Sequence, residues 1–236
     1  MNPTRHGRSV PDVSPPETAR ALFAPIADRY ERWARILSMG QDARWRRAMV
    51  EQVDAGAGSL VLDVAAGTGA ITRLLEARGF RVVALDQSPE MAGARRSSAS
   101  VVIATGEKLP FPDSTFDALT FGYLLRYVVD VEGCLRELTR VVRPKGTIAM
   151  VEFGRPTGPW YPLWWIYTRG WLPLAGRLIG SGWHEVGRFL GPSIETFADR
   201  NPPIRLAAIW RSAGLVDVRF RRMSMGGGLV MWGRVE

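Results

Sequence analysis

Cysteine and histidine are nearly missing from this 236-residue sequence, which has one Cys, Cys134, and two His, His6 and His184. A lone thiol excludes an intramolecular disulfide and any multi-cysteine zinc site, so the chain fits a reducing compartment. One cysteine and two distant histidines make no ligand cluster, and no metal is expected. Long apolar runs are also missing. The greasiest stretch, 159–180, is broken by three prolines and by Arg169 and Arg177, well short of the roughly 20 apolar residues that a bilayer core requires. A membrane-spanning helix is therefore not expected. Residues 1–18 are polar and rich in Pro and Arg, with no run that could act as a signal peptide, and read as a disordered leader. No internal repeat or low-complexity tract is present.

What the chain does have is 46% apolar residues, enough to bury one sizeable core, so a single domain over 19–236 is expected. The formal charge is +8, nearly all of it from arginine. Such a surface attracts nucleic acid or an anionic membrane, or reflects biased residue usage with no partner. No groove-reading motif accompanies the charge, so nucleic acid is not expected as a partner. The Trp, Tyr and Arg of 159–180 suit a membrane interface or a greasy ligand pocket. Trp164 and Trp165 are adjacent, so one narrow helical stripe cannot hold both, and one of them is expected to meet lipid or ligand.

Two helical segments occupy 19–54. Short β-rich runs at 60–64, 82–85, 100–103, 116–121 and 147–153 then alternate with helical stretches, including 133–142, with Arg143-Pro144-Lys145-Gly146 as a turn. Such alternation predicts an α/β, Rossmann-like fold with a mostly parallel sheet covered on both faces. After a helix at 203–213, runs at 216–222 and 228–234 close a seven-stranded sheet as an antiparallel pair. The segments 19–54 and 155–200 are expected to form a helical lid.

The chemistry-bearing segment is 61–69, a buried strand running into Ala65-Ala66-Gly67-Thr68-Gly69 and then a helix. The lack of bulk at Gly67 and Gly69 lets backbone approach a ligand. Asp86 ends the next strand, where a carboxylate can accept both hydroxyls of a ribose. A dinucleotide fingerprint would require glycine at position 72, which is Thr72. S-adenosylmethionine has no pyrophosphate to cradle and is cationic, and Asp63 supplies nearby negative charge. These features point to S-adenosyl-L-methionine as cofactor and to a methyltransferase.

Larger motifs agree. Leu62-Asp63-Val64-Ala65-Ala66-Gly67-Thr68-Gly69, Leu109-Pro110-Phe111-Pro112-Asp113, Phe116-Asp117-Ala118-Leu119-Thr120, Arg140-Val141-Val142-Arg143-Pro144-Lys145-Gly146 and Glu152-Phe153 resemble the ubiquinone/menaquinone biosynthesis C-methyltransferases. The likeness spans almost all of the chain after the leader, including 23–30, Gly40-Gln41-Asp42 with Trp45-Arg46-Arg47, Arg188-Phe189-Leu190 and Ser193-Ile194. It implies a class I methyltransferase fold, with Thr68 at the methionine moiety and Asp86 on the ribose. Ala65, Gln87 and Gly122 complete the cofactor set. Thr105 and Gly106 replace the family's Asp or Asn followed by Ala at the adenine. The run Gly122-Tyr123-Leu124-Leu125-Arg126-Tyr127 departs from the family's Ser-Phe-Gly-Leu-Arg-Asn, which puts the usual acceptor in question.

The resemblance further implies carbon methylation of a demethylmenaquinol-like, lipid-soluble quinol, with Arg126 stabilising a phenolate and Tyr30 covering the cofactor or touching the acceptor. Structural roles compete for both residues: a salt bridge for Arg126 and core packing for Tyr30. Glu152 is expected to order the loop after its strand, and His184 to be a surface histidine. The implied location is the cytoplasm, at the inner face of the membrane by peripheral contact, with a homodimer left open. The alternative is a class I methyltransferase of another small molecule, a secondary metabolite or phospholipid head group.

Overall fold

The computed structural model describes residues 15–180 and 182–236. Residues 1–14 of the expected leader lie outside that range. Residues 15–18 do not continue it, because helix α1 spans Pro15–Phe23. Proline is tolerated in a first turn, where the missing N–H would have had no partner, and Glu17 suits the positive end of the helix. A 3-10 segment, Ala24–Arg29, leads into α2 (Tyr30–Leu37), and α3 (Gln41–Val50) follows.

The sheet comprises β1 (Leu60–Val64), β2 (Arg81–Asp86), β3 (Ser100–Ile103), β4 (Phe116–Gly122), β5 (Val142–Phe153), β6 (Leu215–Met223) and β7 (Gly228–Val235). Its order is β3-β2-β1-β4-β5-β7-β6. The pairings among β1 to β5 are parallel, and β7 runs antiparallel between β5 and β6. Alternation along the strands feeds two cores. Leu62, Leu119, Phe121, Ile148 and Met150 face α6 (Val131–Arg140) and α10 (Pro203–Ser212), with Trp210 fully buried among them. Val61, Ala118, Ala149 and Val151 face α3 and α4 (Ala70–Glu76), meeting Met49, Ile71 and Leu75. Each fully buried Leu, Ile or Phe contributes about 1.5–3 kcal/mol relative to exposure.

Two local readings change. The turn expected at 143–146 falls inside β5, which starts at Val142; those four residues stand opposite Asp117 alone, and the pairing with β4 shifts register between Phe116 and Ala118. The irregularity sits where Lys145 is left-handed (φ 67°) and where a Cβ on Gly146 would come 2.6 Å from the Asp117 carbonyl oxygen. The second lid segment resolves into α7 (Trp160–Ile166), a π-helical turn Tyr167–Trp171, α8 (Leu172–Ile179) and α9 (Trp183–Arg200). The last two cross closely, because a Cβ on Gly187 would lie 2.7 Å from the Leu172 carbonyl oxygen. Between α4 and β3 lies the short helix α5 (Pro89–Gly93), capped by the Ser88 hydroxyl accepting from Met91 N at 3.2 Å.

Candidate active site

The chain reverses its direction of sheet growth between β1 and β4, so the loops at their carboxyl ends diverge and leave a crevice, the usual ligand position in such sheets. A cavity of about 120 Å³ lies there. Ala65, Gly67, Thr68, Asp86, Gln87, Thr105, Gly106, Gly122 and Tyr30 all line it. The loop after β1 is shaped by left-handed backbone at Ala65 (φ 54°) and Gly67 (φ 54°), and a Cβ on Gly67 would meet Met91 Cε at 3.2 Å. Asp86 is buried, with Oδ2 accepting from Gly67 N at 2.7 Å and Oδ1 from Ser88 N at 2.8 Å. Its burial raises the carboxyl above its ordinary value despite those bonds.

Two expected cofactor residues stand behind this wall. Asp63 is fully buried in β1, accepting from Thr72 Oγ1 at 2.7 Å and Thr120 Oγ1 at 3.0 Å, and it does not line the cavity. Burial pushes its carboxyl up to about 6. Gly69 also lies off the lining; left-handed at φ 81°, it starts α4. The loop is tied to α2, because Thr68 Oγ1 donates to Glu31 Oε1 at 2.8 Å and Arg73 Nη2 to Glu31 Oε2 at 2.6 Å. Burial opposes ionisation of Glu31, but these bonds prevail and hold it below the usual carboxylate range.

A second cavity, of about 590 Å³, adjoins the first, and Phe23, Tyr30 and Tyr123 line both. Its wall is aromatic and aliphatic, with Trp45, Trp164, Trp183, Leu190 and Ile194. Tyr30 stacks on Trp183 at 6.1 Å between ring centroids and meets Phe23 edge-on. Trp164 lines the cavity while its neighbour Trp165 is 46% exposed, the split expected of adjacent residues on a helix. Arg126 reaches this cavity rather than the smaller one. Its guanidinium is paired with Glu152 at 2.9 Å, and Nη1 also donates to Ser193 Oγ at 3.3 Å. His184 is on neither lining; its Nδ1 lies 3.0 Å from the Pro173 carbonyl oxygen.

Asp42, Arg46 and Tyr123 are polar groups of this region that sequence reasoning did not single out as site residues. Arg46 Nε donates to Asp42 Oδ1 at 2.9 Å, and the Tyr123 hydroxyl donates to the same oxygen. The available signal was Tyr123 itself, which falls in the run that departs from the family pattern.

A family model described as the ubiE/COQ5 methyltransferase family matches residues 13–234. The chain belongs to that family. Among curated relatives, it is 38% identical to the demethylmenaquinone methyltransferase of Thermobifida fusca, with 89% of this chain and 92% of that protein covered. It is 33% identical to the protein of the same name from Tropheryma whipplei, over 94% and 90%, and 36% identical to the ubiquinone/menaquinone biosynthesis C-methyltransferase UbiE of Desulfotalea psychrophila, over 90% and 88%. A solved structure of a SAM-dependent methyltransferase from Thermotoga maritima, a possible histamine N-methyltransferase, superposes with a TM-score of 0.63 at 17% identity, covering 92% of this chain and 99% of that one. At that identity the likeness supports the fold alone.

Fold and family make this chain an S-adenosylmethionine-dependent methyltransferase. The first cavity of the methyltransferase fits that methyl donor on two observations. A buried carboxylate, Asp86, ends β2 at the cavity wall, and the left-handed backbone at Ala65 and Gly67 holds the loop after β1 open to close approach along the same lining.

Proposed function

We propose that this methyltransferase moves the methyl group of S-adenosylmethionine to a ring carbon of a demethylmenaquinol-type acceptor. The names of the curated relatives support the acceptor class. The single observation that carries the reading is the large apolar second cavity joined to the first through Phe23, Tyr30 and Tyr123. A quinol ring seated at that junction would stand between the methyl donor and room for an apolar tail. In this reading Gly67, Thr68 and Gly122 pass backbone close to the donor, Asp86 and Gln87 take its ribose, and Thr105 and Gly106 its adenine. Ala65 turns the loop, while Asp63 and Gly69 hold that loop from behind. Bound there, the donor supplies an electrophilic methyl on a sulfonium. Tyr30 closes the junction, and Arg126 lends a cation to the acceptor side, moderated by Glu152.

The same reading places the enzyme at a membrane surface. Among the described residues no helix is long and apolar enough to span a bilayer. Trp160, Leu163, Met39 and Met225 are exposed and also line the large cavity, so its mouth opens on an apolar rim. Ile166 (59% exposed), three residues on from Leu163 in α7, adds to the exposed apolar surface, and Arg177 suits an anionic head-group layer, whereas Arg169 is paired with Glu195.

The decisive assay incubates the protein with labelled S-adenosylmethionine and demethylmenaquinol in detergent. Labelled menaquinol is expected, with much less product from a tail-less naphthoquinol. Intact cofactor binding with no labelled quinol would sink the acceptor assignment. For the surface, cosedimentation with anionic vesicles should fall on changing Leu163→Glu and Ile166→Glu together, and unchanged cosedimentation would remove the membrane role.

A further inference from the structure

The junction between the two cavities holds a carboxylate with one oxygen still available. Asp42, on the first turn of α3, lines the large cavity, and its Oδ1 takes both the Arg46 Nε and the Tyr123 hydroxyl. Among the described residues, none of the hydrogen bonds around Asp42 falls on Oδ2, and that oxygen is not among the buried unpartnered atoms. Its side chain keeps 13% of its exposure, and Arg46 keeps 10%. Arg46 lines the donor cavity, its guanidinium carbon 5.5 Å from the centre of the Tyr123 ring. The carboxylate therefore faces the acceptor, the cation faces the methyl donor, and Tyr123 stands between them.

Building on the proposed reaction, we propose that Asp42 is the general base, a catalytic residue whose Oδ2 takes the hydroxyl proton of the acceptor. The O–H electron pair moves into the ring, the adjacent ring carbon bonds the methyl carbon, and the sulfur–methyl bond breaks with its electrons left on sulfur. The methylated carbon then loses its own hydrogen as a proton, the ring oxygen recovers a proton from Asp42, and one proton in all passes to water. Atoms and charge balance without an added oxidant or reductant.

A carboxylate is a weak base for a phenol, and Arg46 answers that objection. Before transfer, the guanidinium is neutralised by Asp42. Once Asp42 is protonated, the same cation is left to offset the new phenolate, so the charge at the junction is conserved while the phenolate forms. The other groups facing Asp42 cannot take its part. Burial pushes Tyr30 up to about 12, and burial followed by the charge of Asp42 pushes Tyr123 well above its ordinary value, so both phenols stay protonated. Arg126, which acts electrostatically on both tyrosines, is a donor held by Glu152.

Full-length wild type, Asp42→Asn and Asp42→Glu should be compared in kcat over a pH series with demethylmenaquinol. Thermal unfolding and calorimetric binding of S-adenosylhomocysteine are measured alongside. Asp42→Asn should lower kcat by about 10²–10⁴-fold and remove the acid limb of the profile, with cofactor-product affinity within about threefold of wild type. Asp42→Glu should recover part of the rate and its acid limb. A second readout needs no turnover: 2-naphthol bound in the large cavity should give naphtholate emission with wild type and lose it with Asp42→Asn. An Asn variant with kcat within about threefold of wild type and the acid limb intact overturns the assignment, as does equal naphtholate emission from both proteins. A wild type that leaves demethylmenaquinol unmethylated while the naphthol difference persists would sink the acceptor assignment and leave Asp42 as the base.

Discussion

Arg126 Nε donates to Glu152 Oε1 at 2.9 Å in a pair whose side chains keep 1% and 0% of their exposure. The backbone N–H of Phe153 donates to that same oxygen at 2.8 Å, while Oε2 is buried without a partner among the described residues. The rings of Tyr127 and Phe153 lie about the guanidinium at 5.0 and 5.1 Å. Removing one charge would strand the other in this setting, at a typical cost of about 3–5 kcal/mol. We predict that Glu152→Gln lowers unfolding stability by about that amount, read from urea titration, whereas Arg126→Met with Glu152→Leu loses less. A single variant as stable as wild type would show that the pair contributes little.

The glycine loop makes a separate prediction. Gly67 combines a left-handed φ of 54° with a nearby Met91 Cε that a Cβ would meet at 3.2 Å. Alanine there costs about 1–2 kcal/mol of backbone strain and crowds the donor cavity. Gly67→Ala is expected to weaken S-adenosylhomocysteine binding by about tenfold in calorimetry, that being the equilibrium factor for ~1.4 kcal/mol. Unchanged affinity would remove Gly67 from the donor site.

How much of this was legible beforehand depends on whether the signal was local. The β-rich runs and Gly67-Thr68-Gly69 with Asp86 announce strands and a close-approach turn through chemistry within a few residues, and β1, β2 and the loop between β1 and α4 appear where expected. Asp42 and Arg46 enter only within the family-like motif Gly40-Gln41-Asp42 with Trp45-Arg46-Arg47, and their spacing alone is that of any i,i+4 pair on a helix. Only the packing of α3 against β7 and the loop after β4 buries Arg46 and brings Tyr123 onto Asp42. Trp45 fixes that packing, its ring lying where a Cβ on Gly228 would be and its Nε1 donating to Ser224 Oγ at 2.8 Å. The ion pair of Arg126 was a recognised alternative to its catalytic role, but its partner follows from β4 and β5 being neighbours.

The large cavity can be filled from α9 without touching the smaller one. Leu190 lines only the former. Leu190→Trp should raise KM for a long-tailed quinol by about tenfold, or ~1.4 kcal/mol, since the lost room is apolar and binding there is shared by ground and transition states. S-adenosylhomocysteine affinity should be unaffected. Equal KM values for the two proteins would place the tail elsewhere.

The last prediction concerns Asp63, whose carboxyl is raised by burial from 3.8 to about 6 in the folded protein, against the bonds from Thr72 and Thr120. A raised folded value means that the native state holds its proton to higher pH than the unfolded chain. Between about pH 4 and 6 the native state therefore binds more protons, and the contribution of Asp63 to stability falls as pH rises, in total by about 3 kcal/mol. This is opposite in sign to a carboxylate held down by a salt bridge. Asp63→Asn has no proton to lose, and its amide can accept from one threonine hydroxyl and donate to the other. Urea unfolding at pH 4, 5, 6 and 7 should show the Asn variant gaining on wild type by about 2–3 kcal/mol across the series. A difference between the two proteins that stays constant with pH would mean that Asp63 titrates alike in the folded and unfolded chains.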